Sequence, residues 1–251
     1  MPGGTDRPRF STAPVAELRQ YTLHPGARDT LVDVFEDHFV DGQERYGMAI
    51  GSICLDEADP DRFVWMRGFT DLEHRTRALE GFYSGPEWTT HGGVANGTMI
   101  DSDDVLLLRP TEPPHPPAEP ARDAGTGASA RLHLEVYTYA PDEALDSYLS
   151  TEFHRDVESV LDVPVAAWRS HPGPNGFPRL PVRDDHAFVW AATFHDADHR
   201  RGAVRRLHDS DLRRDLLRRA PWIGVQELSL TPTRLSRHPQ PQRRLADQET
   251  T

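Results

Sequence analysis

Apolar residues change their spacing repeatedly along this chain, and each change marks an element. ELRQYTL (17–23) predicts a strand with Glu17, Arg19 and Tyr21 on one face. After the Pro25-Gly26 turn, Leu31, Val34, Phe35 and Phe39 recur at helical spacing. MAIGSICLDE (48–57) predicts a second strand, DPDR (59–62) a hairpin turn, and FVWMRGF (63–69) a third strand. The odd positions of that third strand, Phe63, Trp65, Arg67 and Phe69, share a face. DLEHRTRALEGFY predicts a second helix with Asp71 as its cap. SGPEWTTHGG reads as an irregular excursion and VLLLRP (105–110) as a fourth strand.

The plan then repeats. FVWMRGFTDLEHR at 63–75 returns as FVWAATFHDADHR at 188–200, at a fixed offset of 125 residues. LHLEVYTY (132–139), VPVAAWRS (163–170), AFVWAATF (187–194) and VQELSLTPT (225–233) predict strands. PDEALDSYLSTEFHRDVESV, 196–208 and 210–219 predict helices, and HPGPNGFPRLPVRDD a long turn. Each block therefore reads βαββαβ, an α+β ferredoxin-like plan. One such sheet leaves an apolar face uncovered by its own helices, and a second copy can cover it. The boundaries expected are a disordered leader 1–15, unit one 16–110, a Pro/Gly/Ala-rich linker 111–130, unit two 131–233 and a disordered tail 234–251.

Charge narrows the functions. The net charge is −12, and all 28 basic residues are Arg. That balance disfavours nucleic acid and anionic membranes as partners, and the lack of Lys excludes Schiff-base and P-loop lysine chemistry. The Arg-rich run 200–219 reads as a solvated helix face laced with Asp. Cys54 stands alone, so no intrachain disulfide is expected. No apolar run reaches the ~20 residues of a membrane span, and the expected address is cytoplasmic. There is no HExxH, Cys cluster or EF-hand loop, so no metal and no cofactor are expected.

ELRQYTLHPG (17–26), FVWMRGF (63–69), the helix with Phe82-Tyr83, Trp88 after it and DSDDVLLLRP (101–110) together resemble the NIPSNAP family, within the dimeric α+β-barrel superfamily. The resemblance is specific in block one; block two is a diverged copy. It implies two ferredoxin-like units that pair their sheets into a barrel within one chain, with a further homodimer left open. It also implies a ligand cavity between the sheet and helices of one unit. Relatives include cofactor-free monooxygenases, lactone isomerases, polyketide cyclases and haem enzymes, and others that only bind. The Arg-only, Ala/Asp-rich composition suggests a high-GC, actinobacterial setting in which natural-product biosynthesis is at home.

The expected function is therefore cofactor-independent cyclisation, isomerisation or hydrolysis of a small-molecule substrate in a cavity of unit one. The alternatives are a non-catalytic binding protein of the NIPSNAP type and a haem-dependent enzyme. Arg67 is the candidate electrostatic clamp, because a guanidinium matches carboxylates and enolates; its structural alternative is an ion pair with Glu17. Tyr21 is a candidate proton relay and His91 a candidate base. Trp65, Tyr83, Trp88, His38 and Phe35 are the expected substrate-binding residues, with 82–93 as a lid. Arg75 and Arg200, present in both copies, are expected to be structural ties.

Overall fold

The computed structural model describes residues 9–111, 129–219 and 222–237. The first half runs β1 (Val15–Leu23), α1 (Arg28–Val34), a π-turn (Phe35–Phe39), α2 (Val40–Arg45), β2 (Ala49–Asp56), β3 (Arg62–Phe69), α3 (Leu72–Ser84), α4 (Pro86–Thr98) and β4 (Met99–Pro110). The second runs β5 (Arg131–Tyr139), α5 (Glu143–Thr151), α6 (Phe153–Leu161), β6 (Val165–Ser170), β7 (Ala187–Phe194), α7 (Ala197–Asp209), α8 (Asp211–Arg219) and β8 (Trp222–Pro232).

The eight strands form one closed antiparallel barrel in the order β1-β3-β2-β8-β5-β7-β6-β4. Each half contributes four adjacent strands. The halves are joined edge to edge, where β2 meets β8 and β4 meets β6. Closure removes the open strand edges that two separate sheets would leave. The even positions of β1 point inward. Ala16 and Leu18 meet Cys54, Val64, Met66, Leu106, Leu108, Leu132, Leu134, Val136, Val189, Leu228 and Leu230 in a dry barrel core. Burial pushes the Cys54 thiol up to about 12. Phe10 plugs one end of the barrel, where its ring lies so close to Gly51 that an added Cβ there would sit 2.7 Å from it. The odd positions point outward to the helices and build one apolar cluster per half.

The repeated phrase now has a physical reading. Asp71 and Asp196 cap α3 and α7 by accepting the backbone N–H of His74 at 2.6 Å and His199 at 2.8 Å. The Arg that follows each His crosses to the other half: Arg75 donates to Asn175 at 2.9 Å and Arg200 to Glu57 at 2.7 Å. Each cap is expected to contribute about 1 kcal/mol. Asp71→Ala and Asp196→Ala should therefore lower the urea midpoint by similar, modest amounts, and a null effect for either would contradict the capping role.

Three expectations need correction. The segment expected to be an irregular excursion is mostly helix: Gly85 breaks α3, Pro86 opens α4, and packing of Trp88 and Ala95 outweighs the poor propensity of Gly92, Gly93 and Gly97. Within the expected leader, residues 10–12 form a 3₁₀ turn and β1 begins at Val15. Within the expected tail, Leu235 N donates to Glu36 at 2.7 Å and Ser236 Oγ accepts from Ile53 N at 2.9 Å. Residues 1–8, 112–128 and 238–251, where the rest of the leader, linker and tail were expected, lie outside the described residues. No helix among the described residues is long and apolar enough to cross a membrane.

Candidate functional site

The outward face of β1 and β3 is the floor of a cavity of about 280 Å³ in the first half. Arg19, Tyr21 and Trp65 form the floor. Leu31, Phe35, Phe39 and Gln43 line it from the first helical segment, Phe82 and Tyr83 from α3, and Trp88, Ala95 and Asn96 from α4. The π-turn widens the first helix where Phe35 and Phe39 reach the cavity. Met99, Ser102 and Asp103 of β4 complete the wall.

The roof comes from the other half. The 171–186 loop between β6 and β7 brings Phe177, Arg179 and Leu180 over the opening, with Phe177 stacked on Tyr83 at 5.9 Å. Its position is fixed at several points. His171 N donates to Leu107 O and Arg183 N to Val105 O, each at 2.8 Å. The Arg183 side chain pairs with Asp104 at 2.8 Å, and Asn175 binds Arg75. The corresponding connection in the first half, 57–61, is a short turn.

Beneath the floor lies a charge cluster. Glu17 is fully buried and accepts from three arginines: Arg75 Nε at 2.6 Å on one oxygen, Arg67 Nε at 2.7 Å and Arg19 Nη1 at 3.0 Å on the other. Arg19, Arg67 and Arg75 are themselves at most 1% exposed. One carboxylate thus faces three guanidiniums, and the cluster carries an excess of positive charge. Burial alone would raise the Glu17 pKa, but Arg67, Arg75 and Arg19 outweigh it and hold the carboxyl well below the usual carboxylate range. Nη2 of Arg67 and of Arg75 and the Trp65 indole N–H are buried with no hydrogen-bond partner among the described residues.

Arg19 is the member of this cluster that reaches the cavity. Its Nε donates to the Tyr21 hydroxyl at 2.9 Å, and its Nη2 lies 3.5 Å from the Ser102 carbonyl. Burial works against the Arg19 charge, and its pairing with Tyr21 and Glu17 outweighs that penalty. Burial also raises Tyr21, against the pull of Arg19, so the phenol stays protonated at neutral pH. Because the Tyr21 oxygen already accepts from Arg19, its own proton is left for an oxygen in the cavity. Arg19 and Tyr21 together offer a charge and a donor to a developing oxyanion.

Tyr21, Trp65, Tyr83, Trp88 and Phe35, all expected at the site, do line the cavity. Arg67 does not. It is spent on Glu17 and, at 2.8 Å, on Gln43, and it lies behind the floor rather than in it. His38 and His91 stack on each other with ring centroids 3.5 Å apart, and neither is among the cavity-lining residues. No histidine is among the described residues that line the cavity. Arg19, Gln43 and the roof residues were not foreseen. Arg19 shares a face with Tyr21 in the sequence pattern, and that was the available signal.

The NIPSNAP family model matches residues 16–113, which span the first half. No curated protein matches the chain. Among solved structures, a provisionally assigned monooxygenase from Fusobacterium nucleatum is 9% identical with a TM-score of 0.60, over 93% of this chain and 99% of that one. An anthrone oxidase-like protein is 13% identical with a TM-score of 0.59, over 89% and 93%. A provisionally assigned monooxygenase from Lactobacillus acidophilus is 10% identical with a TM-score of 0.54, over 88% and 94%. At these identities the likeness shows the fold alone.

Proposed function

We propose that this chain is two tandem ferredoxin-like units closed into one barrel, and that the cavity of the first acts on a small aromatic molecule bearing an ionisable oxygen. The observation that carries this reading is Arg19. A buried cation, part of a cluster with more positive than negative charge, opens into a pocket whose walls are mostly aromatic and aliphatic, with Gln43, Asn96, Ser102, Asp103 and Arg179 as the other polar lining residues. Such a pocket recognises a flat apolar body by its walls and an anionic oxygen at its floor. Its volume is at the small end of the ~300–1,000 Å³ usual for ligand pockets, which suits a bicyclic or compact tricyclic ring system.

The chemistry follows from charge. Removal of a proton alpha to a carbonyl leaves an enolate, whose oxygen Arg19 and Tyr21 stabilise without a cofactor. Asp103, an exposed residue of the lining and the one carboxylate in it, is the candidate to take that proton. Enolate formation is the common first step of isomerisation and aldol-type cyclisation, and of oxygenation in which the substrate itself supplies the electrons to O₂. The monooxygenase and anthrone oxidase-like names borne by proteins of the same fold are compatible with the last. The second reading, binding without turnover, is favoured by one observation: His91, the histidine expected to serve as base, stands outside the cavity.

Two measurements test this. By calorimetry, 2-naphthoate should bind at least tenfold more tightly than neutral 2-naphthamide, and Arg19→Met should erase the difference while Glu17 keeps two arginine partners. Equal affinity for both ligands in the parent chain would end the anion-binding reading. Tyr21→Phe is the milder second variant, and should weaken naphthoate alone. In D₂O, the protein should accelerate deuterium uptake at the enolisable carbon of 1-tetralone. Binding without exchange would select the non-catalytic reading.

A further inference from the structure

The hairpin connections of the two halves differ in length and in what they cover. β2 and β3 are joined by the short turn 57–61, β6 and β7 by residues 171–186. A connection longer than ~12–15 residues with no secondary structure of its own is uncommon, and is most often functional. This one brings side chains over the cavity of the other half. The second half builds its own counterpart differently. Arg213 stands at the repeat position of Trp88, 125 residues on, and donates to Glu135 and Tyr137 of β5.

Within the roof, Phe177-Pro178-Arg179-Leu180 is a tight turn, closed by Leu180 N donating to Phe177 O at 3.1 Å. Pro178 fixes φ at its first central position. The Asn175 side chain clamps both ends: Oδ1 accepts from Phe177 N at 3.1 Å, and Nδ2 donates to Leu180 O at 2.8 Å. The same Oδ1 accepts from Arg75 Nη1 at 2.9 Å, which ties the turn to the buried cluster around Glu17. Phe177 is buried and stacks on Tyr83, and the Arg179 guanidinium carbon lies 5.8 Å from the centre of the Phe177 ring, within cation–π reach. The turn thus holds Arg179 at the cavity. Arg183, further along the same loop, is spent on Asp104 at 2.8 Å and Asp185 at 2.6 Å. Arg179 has no ion pair and no hydrogen bond among the described residues, and Asp103, the one carboxylate in the lining, is not paired with it.

We propose that Arg179 is a second anion contact, so that the cavity selects aromatic ligands with two acidic oxygen groups, one at each end of the ring system. The proposal rests on the reading of Arg19 as the cation of the floor. Arg19 from the floor and Arg179 from the roof line the same cavity, with aromatic walls between them. A guanidinium offers paired N–H donors to a carboxylate or a phenolate. The two cations differ in setting: Arg19 is buried, whereas Arg179 is exposed to solvent. The floor contact is therefore weakly screened, and the roof contact is the salt-sensitive one. Asp103 repels a second anion on the β4 side of the lining, which leaves the roof as the place for it.

Calorimetry on the full chain tests this with 2,6-naphthalenedicarboxylate and its monomethyl ester, which keeps the ring and nearly the same size but carries one charge fewer. At low salt the diacid should bind about threefold or more tightly than the ester, and the advantage should fade in about 0.5 M NaCl. 2,3-Naphthalenedicarboxylate, with both acids at one end, should gain nothing over its own monomethyl ester. Arg179→Gln, at an exposed position, should bring the 2,6-diacid and its ester level. Equal affinity of that pair in the parent would overturn the proposal, and so would an advantage that survives Arg179→Gln. A fault at the floor shows separately, as equal affinity for 2-naphthoate and 2-naphthamide. A diacid advantage that Arg179→Gln removes would uphold the roof contact whatever the floor does, and failure of diacid and ester alike to bind would overturn both readings.

Discussion

Glu17→Gln is expected to destabilise the fold by ~3–5 kcal/mol, the range seen when one partner of a buried ion pair is removed. The substitution keeps the side chain's shape and one acceptor oxygen, so the loss reports charge. Without the carboxylate, Arg19, Arg67 and Arg75 are three buried cations with no other ion-pair partner among the described residues. The same residue sets an acid limb. A carboxyl held below its ordinary pKa adds stability that is present above the unfolded value of ~4.3 and is lost as pH falls toward the folded value. Glu135, at about 2, loses its contribution between those two limits, and Glu17 loses its own further into acid. Urea unfolding at pH 7, 5 and 3 should therefore show the parent losing stability below pH 5, with a shallower slope in Glu17→Gln. A variant within about 1 kcal/mol of the parent at pH 7 would mean that the cluster is solvated or rearranged and that Glu17 does not organise it.

Much of this arrangement was legible in the sequence because strands have a period of two. Glu17, Arg19 and Tyr21 had to share a face, and so did Trp65 and Arg67; antiparallel pairing of β1 with β3 then makes Glu17 and Arg67 neighbours. The repeat at an offset of 125 likewise gave both capped helices, since Asp71 and Asp196 hold the same local position. What stayed hidden depends on contacts between distant residues. Which side of β1 would house a cavity, and whether Arg19 or Arg67 would open into it, is decided by helices packed above the sheet. The roof came from a loop about a hundred residues further on, where Pro and Gly in HPGPNGFPRLP signal a turn but not its destination. α4 was missed because three glycines lower local propensity, and the packing of Trp88 against Phe39, Phe82 and Tyr83 that outweighs it is tertiary. His133, Glu135 and Glu227 stayed hidden for the same reason: β5 and β8 bring them together, and no spacing motif records it.

The contrast between Arg67 and Ala192 gives the second large effect. The repeat tolerates alanine at Ala192, which invites the inference that Arg67→Ala would be mild. The structure argues against it. Ala192 faces His133, whereas Arg67 faces Glu17, so each position suits the strand beside it. In the second half the carboxylate has moved to Glu135 and its cation to Arg213 on α8: the pairing is rewired, not deleted. Arg67→Ala should cost ~2–4 kcal/mol, because it empties a large buried volume and strips Gln43 and Glu17 of a donor each. It should cost less than Glu17→Gln, since Glu17 retains Arg19 and Arg75. The double variant Glu17→Gln/Arg67→Ala should be less damaged than the sum of its parts, as residues in one network couple. Ala192→Arg should be as harmful as Glu17→Gln. It forces a cation into a cluster of Val165, Phe194 and Ala203 with no free carboxylate, Glu135 being already engaged by His133, Tyr137 and Arg213. Denaturant midpoints for the four chains decide the matter. If Arg67→Ala matches the parent in stability while losing 2-naphthoate, then Arg67 and not Arg19 is the working cation, and the floor of the cavity must be redrawn around it.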